Sequence, residues 1–309
     1  MSETLIIRLS LYGIAALGAT LVLGCLRRFP LGFIGTVGVG AYTAAVTQMV
    51  AGYPWAFCLA AGAVAGALFG ALPGIFDEGL VGDEYAVLSW MMAIAAYETI
   101  SMLEVTGGQH SLIGIPPLFA GAVGLRNTAY LYAGSFAVIL ALLMAFRRSQ
   151  AYDQARLAGL NPRTLAQSGQ SPRAVSLKIH LLAGALGGLA GALWGPAYRS
   201  LHPSQFRLTE SIVILLVCLV GGQGEPLGVL VGLLLIFLVP TLVDFSAAAP
   251  SLSGFSAALG MRPPDDSAVA SSLYQAFLGG VLVVVLLFGR RGVIPALRRA
   301  ANRLGGADD

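Results

Sequence analysis

The sequence predicts an all-α fold, a polytopic transmembrane helix bundle of about 8–10 spans with glycine-rich helix packing. Three observations predict it: a low content of charge, apolar runs of membrane-spanning length, and glycines that recur on helical faces. The 309 residues are 57% hydrophobic and only 11% charged, whereas a soluble domain carries about 25% charged residues. This chain has too few charges to cover a surface that faces water.

Nine apolar runs follow one another along the chain. A bilayer span needs about 20 largely apolar residues, and the runs cover residues 5–26, 31–50, 54–73, 85–103, 128–146, 179–198, 209–222, 226–245 and 272–289. The seventh run is short and leads into "GGQGEP", which predicts a broken or re-entrant helix. Irregular backbone at membrane depth is tolerated only where protein or a water-filled cavity satisfies its polar groups.

Glycines form stripes on several of these spans. Residues four apart lie on one helical face, and small residues there let helix backbones approach closely. The stripes are Gly62, Gly66, Gly70 and Gly74; Gly184 and Gly188; Gly187, Gly191 and Gly195; and Gly224, Gly228 and Gly232. We expect these spans to pack in the interior of the bundle.

Arginine placement predicts the orientation of a single membrane domain over residues 1–309. The segment 147–178 and the tail 290–309 are rich in arginine, and such segments stay on the cytoplasmic side. An even number of predicted spans separates them, so the two assignments agree. The N-terminus and the loop 246–271 are then expected outside, in the periplasm. The acidic loop "FDEGLVGDE", Phe76–Glu84, is an exception, because it is predicted on the inner side.

Glu98 is a carboxylate inside the fourth predicted span. An acid at the centre of a span costs about 2.5–3.5 kcal/mol on insertion scales, so we expect Glu98 to face the bundle or a water-filled cavity. The alternative is a position near the outer interface, where Glu98 is hydrated or holds a neighbouring helix by a hydrogen bond. His180, at the start of the sixth span, is interpreted as a capping or interfacial histidine rather than a ligand.

Motifs of common catalytic sites are missing from the sequence. The single lysine, Lys178, has no glycine-rich loop before it, which excludes a P-loop ATPase. There is no HExxH or GxSxG motif, and the three irregularly spaced cysteines favour neither a disulfide framework nor a metal site. We therefore expect a transporter and not an enzyme, with no catalytic residue, no metal and no cofactor of its own.

The basic segment 147–178 interrupts the apolar runs at the centre of the chain. Its helix-forming stretches, Tyr152–Ala158 and Arg163–Ser168, are broken by "GLNP" and "GQSP", which are turn signals. Two short helices and a glycine turn would form a rigid knob on the cytoplasmic face. The segment is either a docking element or only a positively charged anchor, and the length of the pattern favours docking.

Five segments of the sequence carry a resemblance to a known family. They are "LGFIGTVGVGAYTAAV" at 31–46, "GDEYAVLSWMMAIAAYETISMLEVTGGQHSLIGIP" at 82–116, "ALGGLAGALWG" at 185–195, "HPSQFRLTESIVILLVCLVGGQGEPLG" at 202–228 and "LLFGRRGVIPALRR" at 286–299. In this order they resemble the permease subunits of bacterial ABC importers for branched-chain amino acids. The threonine-glycine-glycine loop makes the chain most similar to the second of the two paired permeases.

The resemblance implies that the basic segment contains a coupling loop, which docks into a groove of an ATPase subunit. By position, Ala166 and Gly169 fall where that loop has its alanine and its turn glycine, and Arg163 and Arg173 flank them. The family has acidic residues just upstream, and here the stretch "GLNPRTLAQ" has none. The contact chemistry of the coupling loop is therefore expected to differ.

The resemblance also implies a translocation pathway through the matched spans. We expect it at Tyr42, Thr43, Glu98, Thr106, Gly107 and Gly108, with the loop 106–116 near its outer mouth. The turn before the second span departs from the family, because Arg28, Pro30 and Phe33 replace glutamine, serine and histidine. Branched-chain amino acids are the expected solute, and urea, short amides, other amino acids and small organic acids stay open.

An importer of this kind implies several partners in the bacterial inner membrane. They are a related second permease that completes a heterodimer, two cytoplasmic ATPase subunits that hold ATP and Mg²⁺, a periplasmic substrate-binding protein and the lipid bilayer; no nucleic acid is expected. The other class of function is a secondary transporter driven by an ion gradient, which predicts internal repeats and intramembrane acids. Glu98 is one such acid, but the sequence shows no convincing repeat.

Overall fold

A computed structural model describes residues 3–77, 80, 83–118 and 125–238, and the isolated positions 276, 279, 280 and 283. Within these ranges the chain forms α1 Glu3–Leu21, α2 Ile34–Ala51, α3 Trp55–Ile75, α4 Asp83–Met102, α5 Leu125–Phe146, α6 Gln150–Leu160, α7 Pro162–Gln167, α8 Pro172–Tyr198, α9 Leu208–Gly221 and α10 Pro226–Leu233. The π-helical turns Val22–Leu26 and Leu234–Leu238 extend α1 and α10. Strands β1 (Leu112–Ile113) and β2 (Ser200–Leu201) pair antiparallel. The all-α membrane bundle predicted from the sequence is confirmed.

Six helices of the described chain are long and apolar enough to cross a membrane. They are Glu3–Leu26, Ile34–Ala51, Trp55–Ile75, Arg126–Phe146, Pro172–Tyr198 and Pro203–Gly221. Each of them overlaps one predicted span. The predicted fourth span forms α4, a helix of 20 residues, which is less apolar because it contains Asp83, Glu84 and Glu98.

The C-terminal predictions are tested only in part. The eighth predicted span begins as a shorter apolar helix, Pro226–Leu238. The rest of that span, the loop 246–271, the ninth span and the tail 290–309 lie outside the described residues.

The helix break predicted at "GGQGEP" is confirmed. α9 ends at Gly221 and the chain reverses into α10 at Pro226, through Gly222 and Gly224, whose φ angles are +115° and +78°. A Cβ on Gly221 would lie 1.9 Å from the carbonyl oxygen of Gly228, so the two helices contact backbone to backbone. α9 alone has 14 residues, a length of about 21 Å, and reaches the 19 residues of the candidate span only together with the preceding 3₁₀ turn Pro203–Phe206.

Glycine stripes pack α2, α3 and α8 together, as predicted. A Cβ on Gly66 would lie 2.4 Å from the Cα of Gly188, and a Cβ on Gly40 would lie 2.4 Å from the same Cα. A Cβ on Gly191 would lie 1.9 Å from the carbonyl oxygen of Val37. Since real Cβ atoms do not approach so closely, only glycine permits this arrangement. α8 is therefore the central helix against which two other spans are fixed.

Candidate translocation cleft and coupling segment

Three helix starts in and beside the basic segment are determined by the same local chemistry. Ser149, Asn161 and Ser171 are N-caps, whose side-chain oxygens accept a hydrogen bond from the backbone N–H three residues later. Pro162 and Pro172 follow two of these caps, where a missing N–H costs nothing. The result is α6, α7 and α8 in succession, which confirms the helix-turn-helix pattern predicted from the sequence.

The four residues predicted to contact an ATPase are all exposed on and after α7. They are Arg163, Ala166, Gly169 and Arg173. Leu165, by contrast, is fully buried and fixes α7 to the rest of the chain. The backbone of Gly169 has a φ of +80°, and no atom lies within 4 Å of the position that a Cβ would take. Glycine is thus favoured here by backbone conformation, and the surface around it is accessible.

α6 is attached to the end of α1 and to the turn between α9 and α10. A Cβ on Gly159 would lie 2.2 Å from the carbonyl oxygen of Cys25, so α6 lies directly on the π-helical turn. The Tyr152 hydroxyl donates a hydrogen bond of 3.2 Å to the Gly224 carbonyl. Burial raises the pKa of Tyr152 to about 12, which keeps its hydroxyl a neutral donor at physiological pH. An ion pair between Arg147 and Glu225 closes the same contact.

A chain of buried polar groups lies beside the first turns of α8. The Arg28 guanidinium contacts the Asp77 carboxylate, with 2.5 Å between Nε and Oδ1, and the Ser176 hydroxyl donates to Asp77 Oδ2 at 2.6 Å. His180 Nδ1 lies 3.0 Å from the Ser176 carbonyl oxygen, which can only accept. A neutral His180 therefore carries its proton on Nδ1, and its Nε2 accepts from the Tyr85 hydroxyl at 2.8 Å.

This polar network joins the turn after α1, the end of α3, the start of α4 and α8. His180 is only 2% exposed, so the histidine predicted to be capping or interfacial is buried among these polar groups. The network accounts for one acid of the loop Phe76–Glu84, because Asp77 pairs with Arg28. Sequence reasoning missed the network, although counting the predicted spans back from segment 147–178 places Arg27, Arg28 and the acidic loop on the same, inner side.

An open cleft lies between α2, α4 and the start of α9. It has two adjoining parts, which share Ala93, Tyr97 and Phe206 as lining residues. Arg207 lines the larger part, and its Nη2 lies 3.3 Å from the Tyr97 hydroxyl. Neither Tyr97 nor Arg207 was singled out from the sequence, because nothing in the pattern shows that α4 and α9 meet there.

Tyr42 is the predicted pathway residue that lies in this cleft. It lines the smaller part, is only 3% exposed, and its hydroxyl has no hydrogen-bond partner among the described residues. Its ring packs edge-on against Phe206, with 5.9 Å between centroids. Thr43 is half-buried on the neighbouring face of α2, and a role for it in the pathway is untested.

Glu98 lies on the exposed face of α4 and does not pack against the described helices of this chain. α4 instead buries Ala93, Ala96 and Ile100, and position 98 points away from them. Four residues separate Glu98 from the end of α4 at Met102, about 6 Å of helix, which agrees with the alternative of a position near the outer interface. Its place in a pathway stays a prediction.

The threonine-glycine-glycine loop ends α4. Thr106 is buried, and its hydroxyl lies 2.5 Å from the Ile100 carbonyl oxygen and 2.7 Å from that of Leu103. Gly107 and Gly108 have φ angles of +82° and +62°, which turn the chain toward β1. These groups therefore serve the local turn, and contact of Gly107 and Gly108 with a solute is not tested.

Comparison with known proteins extends over nearly the whole chain. The model of a family described as branched-chain amino acid transport system, permease component, matches residues 1–286. The chain is 23% identical to the high-affinity branched-chain amino acid transport system permease protein LivM of Escherichia coli, over 96% of this chain and 71% of LivM. It is also 23% identical to the LivM protein of Salmonella typhimurium, over 93% of this chain and 68% of that protein. No solved structure matches with significant similarity.

Proposed function

The chain belongs to the family of branched-chain amino acid transport permeases, and from that premise we propose that it is the membrane-spanning subunit of an ATP-driven ABC importer. It forms the translocation pathway for a small polar solute, with branched-chain amino acids as the expected class. Permeases of this family are transporters and not enzymes. ATP is hydrolysed, on this proposal, by separate subunits.

The observation that carries the proposal is the geometry of the basic segment 147–178, which we propose is the segment that couples the permease to an ATPase. α7 presents Arg163 and Ala166 on an exposed surface, and the chain after Gly169 leads directly into α8. α8 has 27 residues, a length of about 40 Å, and packs on α2 and α3 through glycine. A movement imposed on α7 by an ATPase would therefore be transmitted to the membrane helices.

The working assembly follows from this surface. Two cytoplasmic ATPase subunits dock on segment 147–178 and on its counterpart in a related second permease. A periplasmic binding protein docks on the opposite face, near the loop 106–116, and the whole assembly lies in the bacterial inner membrane. The exposed face of α4, which includes Glu98 and Met102, is available for the second permease or for lipid.

The test is reconstitution in liposomes with and without the partners. The tagged chain is purified from its native membrane, and the copurified subunits are identified. We expect uptake of leucine only with the ATPases, the binding protein and ATP, and no effect of a protonophore or a sodium ionophore. Uphill uptake by this chain alone that collapses with an ionophore would instead establish an ion-coupled secondary transporter.

A further inference from the structure

Arg207 is the only charged residue among the described residues that line the two parts of the cleft. Its guanidinium lies 5.7 Å from the centroid of the Tyr97 ring and donates to the Tyr97 hydroxyl at 3.3 Å. The residue is exposed and lines the larger part of the cleft, and a guanidinium has further N–H donors besides the one that Tyr97 accepts. A planar guanidinium binds a carboxylate through two parallel hydrogen bonds.

Arg207 lies below the outer end of the bundle. Its partner Tyr97 precedes the end of α4 by five residues, about 8 Å of helix. One turn further along α9, Glu210 accepts a hydrogen bond from Tyr12, which is nine residues inside α1, about 13 Å. A cation at this depth is costly against lipid, so it needs water or an anion in front of it.

The start of α9 adds to the positive potential of the cleft. Arg207 is the N-cap of this 14-residue helix, and no side chain caps it there. Backbone N–H groups and the helix dipole at such an end favour an anion, and Glu210 in the first turn of α9 offsets part of this potential. No carboxylate lines either part of the cleft within the described chain.

Two further features of the cleft indicate a ligand with both an apolar and a polar part. Its larger part is lined by apolar side chains that include Leu31, Ile34, Trp90 and Ile94. In the smaller part, the buried Tyr42 hydroxyl has no partner in the described chain. A buried hydroxyl without a partner is unfavourable, and a bound solute or its water would satisfy it. This observation is independent of Arg207.

We propose that the cleft binds the transported solute by its carboxylate, with Arg207 and Tyr97 as the carboxylate-binding residues and the apolar wall beside Trp90 as the contact for an aliphatic side chain. The inference rests on the proposed function and names its substrate class. It selects aliphatic amino acids and related monocarboxylates over urea and short amides, which lack a carboxylate.

The experiment measures binding to the complete transporter in nanodiscs without its binding protein, so that selection by that protein does not hide selection by the cleft. The probes are leucine, leucinamide, 4-methylvalerate and urea, measured by calorimetry. Leucinamide retains the side chain and the amine but lacks the carboxylate, whereas 4-methylvalerate retains the carboxylate and lacks the amine. We expect leucine and 4-methylvalerate to bind at least about tenfold more tightly than leucinamide, and urea not to bind.

The variant Arg207→Gln is expected to lose at least about tenfold in affinity for leucine and to lose the discrimination against leucinamide. Arg126→Gln, which removes an exposed arginine outside the cleft, is the matched control and should bind as the parent does. Tyr42→Phe removes only the unpartnered hydroxyl and should weaken leucine binding severalfold. If Arg207→Gln fails to assemble, the comparison of leucine with leucinamide in the unmodified protein still decides.

Equal affinity for leucine and leucinamide, or unchanged leucine binding by an assembled Arg207→Gln, would overturn the inference. Uptake of leucine by the same preparation with its binding protein and ATP is measured in parallel. If ATP-driven uptake occurs while the cleft shows no carboxylate preference, only the inference fails. If no ATP-driven uptake occurs, the proposed function fails, whereas Arg207-dependent binding of 4-methylvalerate would still support the carboxylate site.

Discussion

Arg147 and Glu225 form a two-pronged ion pair between the end of α5 and the turn that joins α9 to α10. Arg147 Nη2 donates to Glu225 Oε1 at 2.7 Å, and Nη1 contacts Oε2. Hydrogen bonding to Glu225 raises the pKa of Arg147, so the guanidinium stays charged. Because Arg147 begins the basic segment 147–178, this pair ties that segment to α9 and α10 in addition to α8.

Removing the Glu225 charge should loosen this attachment. Glu225→Gln keeps the shape but weakens a partly exposed pair, which is worth about 1 kcal/mol, or roughly fivefold in an equilibrium. We expect normal insertion, continued ATP hydrolysis and a severalfold decrease in leucine transported per ATP. Arg148→Gln, which changes the adjacent exposed arginine, is the control and should leave the ratio unchanged. An unchanged ratio in Glu225→Gln contradicts the prediction.

Gly169 should tolerate side chains according to their backbone preference. Its φ of +80° disfavours β-branched residues, while the surrounding space is open, so strain and not collision within this chain decides. We expect Gly169→Asn, which adopts this conformation more readily, to retain more ATPase association than Gly169→Val. Gly169→Asp should leave the permease inserted and folded but reduce uptake, because the changed surface meets the ATPase.

Copurification of the ATPase with each Gly169 variant measures the effect. Gly134→Ala is the control, since Gly134 is an exposed glycine of α5 with open space around it. Full assembly and full uptake in Gly169→Val and Gly169→Asp would show that this turn does not contact the ATPase.

Local signals predicted the helices well, since each depends on neighbouring residues. The turn signals "GLNP" and "GQSP" mark where α6 and α7 end, and the stripe through Gly66 identifies the close contact of α3. The Arg28–Asp77 pair and the Tyr97–Arg207 contact could not be predicted, because each joins residues from separate elements whose neighbours are set only by the packed bundle.

The sequence left the face of Glu98 open for a related reason. α4 is apolar on more than one side: Val87, Met91 and Ile94 are exposed, while Ala93, Ala96 and Ile100 are buried. When both faces are apolar, periodicity does not show which one meets the rest of the chain. The cost of burying a charge then predicts only that Glu98 needs a polar environment, without indicating which side supplies it.

Gly66 should accept no side chain without a loss of stability. A Cβ there would lie 2.4 Å from the Gly188 Cα, and overpacking of this kind costs about 1–3 kcal/mol. Gly66→Ala should therefore lower the thermal unfolding temperature of the purified chain, whereas Gly134→Ala should not. A thiol-reactive dye reports unfolding, because Cys25, Cys58 and Cys218 are all buried and free. Equal unfolding temperatures for the two variants would contradict the close packing.

Glu98→Gln separates a role in this chain from a role in the assembly. Since Glu98 is exposed, we expect the unfolding temperature of the isolated chain to be unchanged within the error of the dye assay. In the assembled transporter we expect lower uptake. A charge on this face needs water or a partner, and Glu98→Gln removes the charge that such a partner would contact. Uptake at unchanged rate and affinity would assign Glu98 to the hydrated outer interface only.

The polar network around Asp77 is expected to couple the ends of α1, α3 and α8. Asp77→Asn removes the carboxylate that pairs with Arg28 and accepts from Ser176. Arg28 retains its bonds to the carbonyl oxygens of Asp77 and Leu80, so part of its charge stays compensated. Breaking a buried pair costs about 3–5 kcal/mol, and partial exposure of Arg28 together with the retained bonds reduces the expected loss of stability to about 1–3 kcal/mol.

A double-mutant cycle with Arg28→Gln tests whether that loss comes from the pair. If it does, Arg28→Gln combined with Asp77→Asn should destabilise the chain by less than the sum of the single changes, since neither partner is then left charged and unpaired. Asp83→Asn, at an exposed acid near the same loop, is the control and should not change the unfolding temperature. Strict additivity would show that Arg28 and Asp77 act independently. Two results together, non-additivity in the cycle and less leucine transported per ATP in Asp77→Asn, would show that the network also connects the basic segment to the membrane helices. The connection would run through Ser176 and His180, which lie in the first turns of α8.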